Sequence, residues 1–205
     1  ADGTTATVVA QTNSKVDVTS FTNASMTSRD PRLSKTIFSK EYLNHGTYHT
    51  PSNNTPTGLG VNKFLSPNLQ APFGYSGQSQ QDWVIMRYAD VLLMRAEAEN
   101  ELSGATSQVY ADVDQVRARV GMPALPIGLS KEQMRARIRH ERRVELAFEG
   151  ERYFDLKRWK IAEQVINGIT DGIVRRKFEH KHYLWPLPQS EIDKNKGVLV
   201  QNPNY

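Results

Sequence analysis

At 205 residues, with 38% apolar side chains and a mean hydropathy of −0.58, the chain is long enough for one domain with its own core. The absence of cysteine excludes a disulfide framework, a thiolate metal site and an acylated cysteine within these residues. A net charge of +4 raises nucleic acid as a partner, but ten Lys/Arg against six Asp/Glu between residues 131 and 160 carry that whole excess. Their signs alternate along a helix, so no phosphate-tracking stripe forms and no nucleic acid is expected.

Residues 1–29 are rich in Thr, Ser, Asn and Ala and read as an extended lead-in. Their first fifteen positions lack the basic and apolar regions of a signal peptide. No run approaches eighteen consecutive apolar residues, so no segment is expected to span a bilayer.

Residues 30–82 form a second, loop-rich region. From Asn44 to Asp82 there are four prolines and only two charged residues, Lys63 and Asp82. A loop of that length in a compact domain is usually functional or disordered. Tyr42, Tyr48, Phe64, Phe73 and Tyr75 lie in or beside it among Asn, Gln, Ser, Thr and Gly. Side-chain amides bond to hydroxyls and rings stack on C–H faces, so the mixture suits a neutral polyhydroxylated ligand. Tyr42, Tyr48, Asn53, Phe73 and Tyr75 are the candidate ligand-binding residues. Each ring also fits simple packing under a long loop.

Residues 83–205 read as helical. Ile85, Tyr88, Ala89, Leu92 and Ala96 share one face of a helix that starts at about Ile85, and Ser103-Gly104 turns the chain into a second helix from Thr106 to Val120. The spacing of Ala111, Ala118 and Pro123 resembles a degenerate tetratricopeptide unit. Ser130 with Gln133 predicts a capping box and a third helix running to about Phe148. Gly150 breaks it before a fourth helix from Glu151 to about Asn167. Tyr183 to Pro188 is expected to be extended, with Ser190 capping one short turn beyond it.

In the third helix, Met134, Ile138, Val144 and Phe148 form an apolar arc, and Glu141 and Glu145 fall inside it. Unpaired buried carboxylates would cost several kcal/mol, so these two are expected to meet arginines. Arg87, Arg95, Arg142, Arg143, Arg152 and Arg158 are the candidates, and Glu141, Glu145, Arg142 and Arg152 are assigned to structural ion pairs. The alternative of a carboxylate metal site with His140 lacks the Glu-x-x-His repeat on a second helix. His180 and His182 form an H-x-H pair that could share a strand face, but no third ligand is placed, and His45 and His49 are likewise unsupported. Trp83, Trp159 and Trp185 fit core packing better than sugar stacking. With no nucleophile and orienting base, no phosphate loop and no zinc spacing, the chain does not read as an enzyme, and no metal or cofactor is expected.

The run IRHERRVELAFEGERYFDLKRW resembles the C-terminal hallmark of the SusD/RagB family, nutrient-binding lipoproteins of the outer membrane in Bacteroidetes-type bacteria. Asp30-Pro31-Arg32-Leu33, MRYADVLLMRAEAENEL, VDQVRARVGMPAL and LWPLPQSEIDKN with QNPNY resemble further blocks of that family in the same order. The resemblance implies a mainly α, SusD-like fold of tetratricopeptide-type hairpins with a loop-rich face. It implies the C-terminal portion of a longer protein, whose N-terminal half would carry the lipid anchor and pack against this one. It further implies non-catalytic oligosaccharide capture at the outer face of the outer membrane and delivery to a SusC-like TonB-dependent transporter. Peptide capture, as in the RagB branch, and a purely structural role are the alternatives.

Overall fold

The computed structural model describes residues 9–10, 16–17, 29–39, 59–64, 82–169, 176–195 and 197–205. The order is β1 (Val9–Ala10), β2 (Val16–Asp17), α1 (Arg32–Thr36), β3 (Ile37–Ser39), β4 (Leu59–Val61), α2 (Tyr88–Ser103), α3 (Ser107–Ala118), α4 (Lys131–Glu145), α5 (Glu151–Arg158), α6 (Ala162–Asn167), a 3-10 turn at His180–Tyr183, and α7 (Gln189–Lys194). The strands form two antiparallel pairs, β1 with β2 and β3 with β4, the second in the register Ile37 to Val61. The chain divides into two compact units, one ending at Arg152 and one comprising Tyr153–Tyr205.

The core of the first unit is a three-helix contact. α2 packs on both α3 and α4, burying Leu92, Leu93 and Ala96 against Val109, Val113, Val116, Met134 and Ile138. Burying a Leu or Ile side chain stabilises by about 1.5 to 3 kcal/mol, and Ala96, fully buried, lets the helices approach closely. Local signals fix the helix starts. Thr106 Oγ accepts from the Val109 N–H, and Ser130 and Gln133 close a reciprocal capping box in which Gln133 Oε1 accepts from the Ser130 N–H at 2.8 Å. Gly104, at φ 83°, ends α2 in a conformation that costs a side-chain-bearing residue more.

The observed elements depart from the periodicity at four places. α2 begins at Tyr88, and Ile85 is 85% exposed, because Arg87 stays extended and spends its guanidinium on distant carboxylates. Phe148 sits outside α4, half-exposed at φ 65°, so it does not join the apolar arc of Met134 and Ile138. The expected fourth helix is two, α5 and α6, separated where Lys160 takes a left-handed φ of 57°. Pro188, not Ser190, occupies the start of α7, and Tyr183 belongs to the 3-10 turn that precedes the extended segment.

In the second unit, Leu156, Ala162 and Phe178 form the core, flanked by Tyr153, Ile161, Val165, Ile166 and Tyr183. The C-terminal residues serve the extended segment after the 3-10 turn. Gln201 accepts from the Leu187 N–H and donates to the Leu187 carbonyl, at 2.8 and 2.9 Å, while Asn202 and Tyr205 donate to the carbonyls of Trp185 and Leu184. These bonds satisfy a main chain that its prolines keep out of helix.

Candidate functional site

The C-terminal end of α4 is where the charges converge. Glu141, at 1% exposure, accepts from Arg32 at 2.6 Å and from Arg117 at 3.0 Å. Glu145, at 3%, accepts from Arg32 at 2.9 Å, Arg87 at 2.6 Å and Arg119 at 2.8 Å. Arg32 is itself buried and also grips Asp30 through two nitrogens, a geometry set by the tight Asp30-Pro31-Arg32 turn into α1. Burial by itself would lower the Arg32 pKa, but its bonds to Asp30, Glu141 and Glu145 prevail and raise it. Burial would likewise raise the Glu145 pKa, and the bonds from Arg87 and Arg32 bring it below the ordinary carboxylate value. The last turn of α4 is closed by cations. Lys63 Nζ donates to the carbonyls of Glu145 and Ala147 and pairs with Glu149, and Arg87 donates to the Glu145 carbonyl.

The arginines at Glu141 and Glu145 therefore come mostly from outside the expected set. Of the six candidates only Arg87 reaches Glu145. Arg142, buried beside Glu141 in sequence, turns to Asp90 at 2.7 Å, Arg95 binds Asp112, and Arg158 binds Asp155. Successive helical positions point to different faces, so Arg142 cannot share the face of Glu141. Arg32, Arg117 and Arg119 lie outside that set, and the sequence signal for Arg32 is Asp30-Pro31-Arg32, a short acid-base turn.

Above this network lies a pocket of about 580 Å³ lined by α1, Lys63, Phe64, Asp82, Val84, Arg87, Arg119, Val120 and the end of α4. Beside it Trp83, 66% exposed, stacks on Phe64 with ring centroids 5.2 Å apart and planes at 23°. Lys35 and Asp82 lie at the same pocket, both exposed. Trp83 is thus not a core residue. Trp159 is buried, and Trp185 is 63% exposed. Tyr42, Tyr48, Asn53, Phe73 and Tyr75 lie outside the described residues, as do His45 and His49. His180 and His182 fall in the 3-10 turn, not on a strand, and His182 Nδ1 accepts from the Glu179 N–H. Among the described residues no group of three His, Asp or Glu could hold a metal, and no helix is long and apolar enough to cross a membrane.

The model of the SusD family matches residues 1–205. SusD-like protein P2 of Formosa agariphila is 35% identical over 164 residues, covering 72% of this chain and 31% of that protein. A SusD-like protein of Bacteroides fragilis superposes with a TM-score of 0.61 at 32% identity, covering 73% of this chain and 31% of the other. Surface glycan-binding protein A of Bacteroides thetaiotaomicron, solved in complex with laminarihexaose, shares the fold at a TM-score of 0.61 and 23% identity, over 93% of this chain and 41% of that one. The chain spans about a third of the length of the relatives it matches.

Proposed function

Because the chain belongs to the SusD family, we propose that it is part of a non-catalytic cell-surface protein that binds oligosaccharide at the pocket beside Phe64 and Trp83. The observation that carries the reading is the stack of exposed Trp83 on half-buried Phe64 at the edge of a 580 Å³ pocket that also holds Lys35 and Asp82. An exposed ring offers a flat face to the C–H side of a pyranose, and nearby polar side chains take its hydroxyls, so ligand is held without a bond being broken. The ion-pair network serves as a rigid floor, since its charges are already matched to one another. The laminarihexaose complex of the glycan-binding neighbour supports a saccharide ligand. Tyr42, Tyr48, Asn53, Phe73 and Tyr75 are proposed to extend the site, and location at the outer membrane with delivery to a SusC-like transporter belongs to the same reading.

Calorimetric titration with neutral oligosaccharides, laminarihexaose among them, tests it. Trp83→Ala is expected to weaken binding by about 1 to 3 kcal/mol, by analogy with aromatic stacking on nucleobases, while the melting temperature stays put. Saccharide binding unaltered in Trp83→Ala would move the site elsewhere, and binding of oligopeptides alone would replace the reading with peptide capture.

A further inference from the structure

The second unit carries a surface that the pocket does not use. The rings of Trp185 and Tyr153 lie 6.2 Å apart, inclined at 55°. Lys157 Nζ stands 4.7 Å from the Trp185 ring centroid and 5.3 Å from that of Tyr153, and Lys160 Nζ stands 4.7 Å from the Tyr183 ring. Within this unit Arg158, Lys177, Lys181 and Lys194 each pair with a carboxylate. Among the described residues, Lys157 and Lys160 have none. Desolvation, then the charge of Lys160, lowers the Lys157 pKa, so this ammonium sits beside another cation with no anion to offset it.

The platform is also held in place. Asn202 donates to the Trp185 carbonyl at 2.6 Å and Tyr205 to the Leu184 carbonyl at 3.1 Å, with Pro186 following directly. Those bonds fix the main chain while the indole stays largely exposed, as a preorganised stacking surface requires. We infer that this face is a second saccharide site, selective for sugars that carry a carboxylate or sulfate: the pyranose ring stacks on Trp185 and its anionic group is taken by Lys157 in the field of Lys160. The saccharide half of this inference rests on the proposed function. The charge half rests on the unpaired lysines alone.

The test titrates the protein with hexagalacturonate, a sulfated carrageenan hexasaccharide, fully methyl-esterified hexagalacturonate, laminarihexaose and inorganic sulfate. At least one charged hexasaccharide is expected to bind about tenfold more tightly than the ester, a preference that shrinks as salt rises. Trp185→Ala is expected to weaken that binding about tenfold. Lys157→Met, which keeps the aliphatic stem over the rings, is expected to reduce the charge preference about threefold, with binding of the ester unchanged. Equal affinity for charged and esterified sugar, full binding by both variants, or sulfate binding as tightly as the sugars would each overturn the inference. Laminarihexaose binding without any charged sugar binding overturns this site and leaves the proposed function standing, and failure of every sugar overturns both.

Discussion

Replacing Glu145 by Ala tests the charge network where it is most heavily shared. The carboxylate is buried at 3% exposure and holds three guanidiniums. Their fates differ. Arg119, 57% exposed, returns to water at little cost. Arg87 keeps Glu149, and buried Arg32 keeps Asp30 and Glu141. No cation is left wholly unmatched, so the loss sits at the lower end of the range for breaking a buried pair, about 3 kcal/mol. For a domain of this size that corresponds to a fall in melting temperature of about 6 to 12 °C, read by circular dichroism. Arg119→Ala, which removes only the exposed partner, should cost less than about 1 kcal/mol. A Glu145→Ala melt superimposable on the wild type, or the two variants falling equally, would refute the assignment of the stabilisation to the buried pairs.

Ser130→Ala removes one half of the α4 capping box and is expected to cost about 1 kcal/mol, measured by urea unfolding. Acid should weaken the first unit. Asp30, Asp112 and Glu145 all have folded pKa values below their ordinary ones, so the stability they add is present above about pH 5 and is lost as pH falls through the lowered values, seen as a falling melting temperature between about pH 5 and about pH 2. Gln201→Ala unties both main-chain groups of Leu187, and hydrogen exchange at the Leu187 amide should accelerate while amides in α2 keep their protection.

The helices were legible because their signals are local. Ser130 and Gln133 lie within one turn, and the turn at Ser103-Gly104 needs no distant partner. The burial of Glu141 and Glu145 could be read from their place among Met134 and Ile138. The identity of their partners could not, because a guanidinium on a long stem reaches across segments whose proximity only the fold decides. Arg87 shows the same limit from the other side. Periodicity draws the helix through Ile85, yet the bonds from Arg87 to Glu145 and Glu149 hold that stretch extended. Trp159 is buried as a large apolar ring suggests, whereas Trp83 and Trp185 each cover a neighbouring ring while remaining open to solvent. Of the ligand-binding residues proposed from composition, none falls within the described part of the chain.

The reach of Arg32 carries a consequence for the order of assembly. Its bond to Glu141 closes a loop of 109 residues, whereas the Arg95–Asp112 pair closes one of 17. Chain entropy makes the longer closure about 1.6 kcal/mol more costly. The α2–α3 hairpin should therefore nucleate early, and the Asp30–Arg32 turn should dock only once α4 presents both glutamates together. Substitution of Arg32 is then expected to speed unfolding while leaving the folding rate nearly unchanged, the kinetic mark of a contact made after the transition state. In a chain synthesised from its N-terminus, the Asp30–Arg32 turn waits 109 residues for Glu141, and until then Asp30 is the one carboxylate of this network within reach of its guanidinium.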